Sequence, residues 1–260
     1  CELGNQLQCY QPSNAQRLHI QITPAQPPAA MAMLSASRTL VAASIVSPTS
    51  DPALTGNPRT IDITNTSAVD ATGVSAQAIG LPTGTTVNAT TCNGTLAAGM
   101  SCQITITPGS QASNSALGGA CTTLPGLVPV PANIIINGTN TNSVMIDAFV
   151  LGYGCIYQSG YLFSIDDTPA STANIGGSVA SVNDNDGLIW STVNDLTSAS
   201  SNIDGSMNTA DLIAEPGNNY PVAQFCNNLN EGGYTDWYLP AICEMGRFDN
   251  AAGGVDAGCG

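Results

Sequence analysis

Lysine is absent from this chain of 260 residues, and the positive charge rests on Arg17, Arg38, Arg59 and Arg247. Eighteen acidic residues face those four arginines, for a net charge of −14. Such a balance repels nucleic-acid phosphate and anionic lipid, which excludes both as partners. Histidine occurs once, at His19, and no cysteine pair has CxxC spacing, so zinc-ligand patterns are missing. Charged residues make up only 8% and aromatics 5%. Sparse charge points to disorder only when apolar content is also low, and here it is 43%. The surface must then be dressed in Ser, Thr, Asn, Gln and Gly, as in secreted β-rich proteins. No signal peptide is legible, and no apolar run approaches the length that crosses a bilayer, so direct membrane insertion is not expected.

What the chain does have is nine cysteines: 1, 9, 92, 102, 121, 155, 226, 243 and 259. With metal spacing missing, disulfides formed in an oxidising compartment account for them best. Cys92 and Cys102 flank NGTLAAGMS, a turn-rich loop suited to a bridge across a hairpin. Cys1 and Cys9 flank ELGNQLQ in the same way. Cys226, Cys243 and Cys259 lie near one another in sequence, and two of them can pair; Cys226 with Cys243 is the expected bridge. The odd total leaves a free thiol, an intermolecular bridge or a partner elsewhere.

Hydrophobic patterning predicts a mainly β protein. Leu18, Ile20 and Ile22 alternate with polar residues as in a half-buried strand, and the Pro-rich stretch 23–30 follows as a stiff linker. Residues 1–22 therefore read as a terminal strand of a preceding module or a donor strand. From 31 to 152 only strands are legible. Ile61 with Ile63, Val74 with Ala76 and Ala78, and Cys102 with Ile104 and Ile106 mark inward faces. Turn residues separate these runs at the intervals of a β-sandwich. The stretch ITNTSAVDATGVSAQAIGLPTGTTVNATTCNGTLAAGMSCQITITPG resembles the immunoglobulin-like modules of bacterial surface proteins, which implies a spacer role.

After a boundary near 151–155 the pattern changes. DNDGLIW (184–190) reads as a short apolar strand, and 191–220 as a long surface loop. Residues 221–229 read as a short helix with Val222, Phe225, Cys226 and Leu229 on one side. Then comes GGYTDWYLPAICEMG, residues 232–246: a turn, a short strand and a helix start that carries Ile242, Cys243 and Met245 inward. On that strand Trp237 and Leu239 face the core and Tyr238 faces out. Gly232, Gly233, Tyr234, Asp236, Trp237, Leu239, Pro240 and Glu244 resemble the signature of the C-terminal domain family of a bacterial collagen-like adhesin. The resemblance implies a C-type-lectin-like α+β domain over 153–260, incomplete at its end because that family continues through further strands.

The candidate ligand contacts are Tyr234, Asp236 and Tyr238, by stacking and hydroxyl pairing. Asp184 and Asp186 in NDNDG resemble the first half of a calcium loop, but the later bidentate Glu is missing and an acidic turn is the plainer reading. No cofactor is otherwise expected, and no arrangement of His19 with Ser and Asp builds a nucleophilic catalyst, so the chain reads as no enzyme. The expected function is that of a secreted or surface-exposed bacterial protein, extracellular or at the cell surface, for adhesion or recognition of an extracellular ligand, with neutral glycan fitting best because no cationic patch exists for a sulfated one. The alternative is a structural subunit of an extracellular filament or secretion apparatus, joined to its own copies or another surface protein by strand addition.

Overall fold

A computed structural model describes residues 6–10, 17–21, 30–49, 51–167, 174–183, 185–217 and 219–245. Its elements are mostly strands, with two α-helices late in the described chain. The mainly β expectation therefore holds.

The strand expected at 18–22 is not solitary. β1 (Gln6–Tyr10) and β2 (Arg17–Gln21) pair antiparallel, with Cys9 opposite Leu18, in a sheet of two strands. The linker at 23–30 falls outside the described residues except for Ala30. Of the expected Cys1–Cys9 bridge, Cys1 falls outside as well, and Cys9 is described in its backbone alone.

The next strands form two sheets. One has the order β3 (Leu34–Ala36), β5 (Arg59–Asn65), β9 (Ser101–Thr107) and β7 (Thr86–Asn88). The other runs β4 (Leu40–Ser44), β11 (Val144–Leu151), β10 (Ala132–Asn137), β6 (Ala71–Ile79) and β8 (Gly94–Leu96). Alternation sets their facing sides, because successive side chains leave a strand in opposite directions. Ile61, Ile63, Ile104 and Ile106 of the first sheet meet Val74, Ile134, Ile136 and Ile146 of the second in one buried cluster. Burying each of these side chains is worth about 1.5–3 kcal/mol. The Cys92–Cys102 disulfide, expected from its flanking turn residues, closes this core beside β9.

A second cluster extends beyond the expected boundary near 151–155. Ala42 on β4 and Leu151 on β11 pack with Leu162 and Ile165 of β13 (Gly160–Asp166), around Cys121 and Cys155. β13 is the middle strand of a three-stranded sheet between β12 (Ile156–Tyr157) and β14 (Gly176–Ser181). Cys121 and Cys155 form a disulfide, a pairing the sequence did not reveal. Just past β13, Asp167 is fully buried against Arg59 of β5 in an ion pair. Its Oδ2 also accepts hydrogen bonds from Ser44 Oγ (2.8 Å), Thr55 Oγ1 (2.5 Å) and the Asn57 N–H (2.9 Å). The late sheet is thus clamped to the sandwich by a buried polar joint.

The stretch 191–220, expected as loop, contains α1 (Gly205–Ala214). Asp204 starts it, accepting the Met207 N–H at 2.8 Å through its side chain, the usual role of an N-cap aspartate. α2 (Pro221–Asn228) falls where the apolar spacing placed it, with Pro221 in its first turn. Leu212, Tyr220 and Ala223 pack the two helices together. The strand expected at 184–190 does not form: residues 185–190 are irregular chain with a turn at 186–187 and a bend at 190, and Trp190 is 54% exposed. An apolar run without a neighbouring strand to accept its backbone groups has no ladder to join.

Candidate functional site

Residues 231–245 hold the signature, and they fold by side-chain anchoring rather than as strand and helix. Glu231 and Tyr234 exchange backbone hydrogen bonds across Gly232 and Gly233, whose φ values of 60° and 87° require glycine. Residues 235–240 join no ladder, so the expected opposition of Trp237 and Tyr238 is lost; both are half-buried. Trp237 donates its Nε1–H to the Tyr234 carbonyl at 3.1 Å. The Tyr238 hydroxyl donates to Glu244 Oε1 at 3.1 Å. Burial, and then the neighbouring charge of Glu244, raises the Tyr238 hydroxyl above its ordinary pKa.

Beyond Pro240 the described chain turns without becoming a helix, and Ile242 and Met245 lie 55% and 50% exposed instead of facing inward. The reason is Glu244. Its Oε2 accepts the N–H groups of Ala241 and Gly205, each at 2.8 Å, closing the turn and reaching the first residue of α1. Helix N-termini leave unpaired N–H groups that a carboxylate satisfies well. The Thr209 hydroxyl accepts the Leu239 N–H at 3.0 Å, a second tie to α1. Glu244→Ala is accordingly expected to lower stability by about 1–2 kcal/mol, read by urea denaturation, with little change for Glu244→Gln at neutral pH. An unaltered midpoint for the alanine variant would remove Glu244 from this role.

These anchors leave a cavity of about 350 Å³ between β14, α2 and residues 234–240. Tyr234, Asp236 and Tyr238, the three expected ligand contacts, all line it, and Trp237 does as well. Sequence reasoning missed Phe163 on β13, and it read Phe225 and Leu229 only as a helix face. Their 3.6-residue spacing was the available signal, but nothing in it told core from cavity wall. The volume sits at the small end of the roughly 300–1,000 Å³ usual for small-molecule sites.

Cys226 also lines this cavity and is a free thiol, which corrects the expected Cys226–Cys243 bridge. It points from α2 into the cavity, whereas Cys243 is held in its turn by an N–H bond to the Asn202 carbonyl at 2.9 Å and is disulfide-bonded without it. Burial pushes the Cys226 thiol up, away from the reactive thiolate.

The candidate calcium loop is only partly described. Asp186 stands exposed in a turn, and Asp184 lies outside the described residues. Among the described residues no group of three or more His, Cys, Asp and Glu side chains converges as metal ligands would. No helix among them is long and apolar enough to cross a membrane.

No family model and no curated protein matches the chain. Solved structures that it matches include the secreted serine protease VesC from Vibrio cholerae, at 16% identity over 45% of this chain and 22% of that one, with a TM-score of 0.27. Another is the E. coli chaperone DraB, at 14% identity over 45% of this chain and 53% of that one, also with a TM-score of 0.27. Likeness at this level transfers neither a fold nor an activity. It does correct the reading of the chain as no enzyme: a secreted protease stands among its structural matches, and that exclusion is withdrawn. Location rests on firmer ground. The Cys92–Cys102 and Cys121–Cys155 bridges mark a chain that matures outside the reducing cytosol.

Proposed function

We propose that the chain is an extracellular recognition module related to the C-terminal domain of bacterial collagen-like adhesins, carried behind an immunoglobulin-like spacer. The observation that supports this reading is the aromatic cavity. Its walls gather Tyr234, Trp237 and Tyr238 with Phe163 and Phe225 around one carboxylate, Asp236. In a chain with so few aromatics, five at one cavity is a concentration worth a function. A neutral sugar ring fits this chemistry: its C–H face stacks on an aromatic ring, and its hydroxyls donate to Asp236. The Trp237 N–H and Tyr238 O–H are already engaged internally, so stacking contributes most of the affinity.

A glycan array followed by calorimetry on any hit tests the reading. Trp237→Ala and Asp236→Asn should each weaken binding roughly tenfold, the size of one lost stacking contact or charge-assisted hydrogen bond. A folded chain that binds nothing on the array, or binds equally well with Trp237 removed, would defeat it.

One observation favours a second reading, an assembly subunit joined by strand addition. β14 pairs with β13 and forms the edge of its sheet among the described residues, and an open edge is a template for another strand. Size-exclusion chromatography with light scattering separates the two. Polymers without glycan binding favour assembly, and a glycan-binding monomer favours recognition.

A further inference from the structure

Residues 177–181, consecutive along β14, all line the aromatic cavity. Successive side chains leave a strand on opposite faces, so a cavity that touches an unbroken run of residues follows the strand's edge. β14 has β13 on one side and no strand on the other among the described residues. The cavity is therefore a groove, floored by a strand edge and faced by α2 and residues 234–240.

Hydrogen bonding on β13 fixes which groups of that edge look out. Leu162 directs both its backbone groups away from β14: its N–H donates to the Cys155 carbonyl at 2.9 Å, and its carbonyl accepts the Gly154 N–H at 2.8 Å. Leu162 stands opposite Val179, so theirs is a pair without mutual hydrogen bonds. In such a pair the N–H and C=O groups of both residues point away from each other. Those of Val179 thus face the groove, and alternation turns those of Ser181 the same way. No bond from another described segment reaches them. Each residue offers a donor and an acceptor to an added strand.

The groove also has a length and a charge. A second cavity, of about 730 Å³, carries it past the end of β14 along Val182 and Asn183 and shares Gln158 with the first. The two linings include the carboxylates of Asp236 and Glu231 and no lysine, arginine or histidine. Asp236 is exposed.

We propose that this groove binds an extended, basic segment of a second, different protein as a strand beside β14. Alternate main-chain groups of the segment bond Val179 and Ser181. Side chains on one of its faces enter the cavity, where an apolar one packs between Phe225 and Trp237 and a lysine or arginine next to it pairs with Asp236. Another copy of this chain is the poorer occupant, because two copies of charge −14 repel and neither supplies lysine. The inference rests on the strand-addition reading of β14 and adds the partner to it; it does not rest on glycan binding.

The test titrates the full chain with the blocked peptide acetyl-TKTFTKT-amide by calorimetry, and follows amide exchange by NMR. Saturable binding is expected, with slower exchange at Val179 and Ser181. N-methylation at alternate residues blocks one edge of the peptide strand and leaves the other free. Of the two complementary methylated peptides, one should bind at least roughly tenfold weaker and the other nearly as before. Replacing both peptide lysines by glutamine should weaken binding about two- to fivefold. On the protein side, Val179→Pro removes an outward N–H that β13 does not use, and the folded variant should lose the peptide. The methylated pair on the native chain stands even if that variant does not fold. No saturable binding, equal effects of the two methylated peptides, equal affinity for the glutamine peptide, or full binding by folded Val179→Pro would each overturn the site. So would Val179 and Ser181 amides already protected in the chain alone, since another segment would then occupy the edge. A chain that polymerises by light scattering yet binds no peptide keeps the strand-addition reading and overturns this partner.

Discussion

Asp167→Ala is expected to be the most damaging single substitution in the described chain, lowering stability by about 3–5 kcal/mol. Removing one member of a buried ion pair strands the other charge. Here that is Arg59, whose side chain is fully buried. The loss also strands donors from Ser44, Thr55 and Asn57. The reverse change, Arg59→Met, leaves the carboxylate with those three donors and fills the vacated space, so it should cost distinctly less. Urea denaturation of both variants measures the asymmetry. Equal losses would mean that the Asp167 network does not act as described. Because Asp167 follows β13 while Arg59 and Ser44 belong to the sandwich, the alanine variant should also loosen the late sheet, visible as faster amide exchange in 160–166.

The second large effect concerns disulfides. Cys121–Cys155 spans 34 residues and Cys92–Cys102 spans 10. In the chain-entropy account the longer loop contributes about 4 kcal/mol and the shorter about 3 kcal/mol. Packing does not separate the two bridges, since Cys121 and Cys155 are buried among Leu151, Leu162 and Ile165, and Cys92 and Cys102 are buried in the sandwich core, so loop length sets the order. The double variant Cys121→Ala, Cys155→Ala should therefore melt lower than Cys92→Ala, Cys102→Ala by calorimetry. The opposite order would show that the late sheet is held mainly by the Asp167 joint.

The two bridges also show what was legible and what was not. Cys92 and Cys102 sit either side of a turn, so local sequence carries their pairing. Cys121 and Cys155 are brought together by a loop laid across β11 and β12: Ser113 N–H donates to the Val150 carbonyl and Ile156 N–H to the Leu127 carbonyl. Such contacts join residues that share no local pattern. The same division runs through the site. Tyr234, Asp236 and Tyr238 were legible as candidates because they stand in a recognisable signature, and the cavity includes all three. Glu231 and Phe163 were not, because one is set by a glycine turn against a distant turn and the other by the pairing of β13 with β14.

By itself the amino-acid sequence determined the mainly β architecture, the inward faces of β5, β6 and β9, the helix at 221–228 and an oxidising destination. Those follow from alternation, helical spacing and cysteine content, which are local or compositional properties. Tertiary structure alone decided that Glu244 caps α1, that Cys226 stays reduced, that Asp167 locks to Arg59 and that two cavities meet at Gln158. Each depends on which distant groups come within hydrogen-bond or packing distance, and a linear pattern holds no record of that.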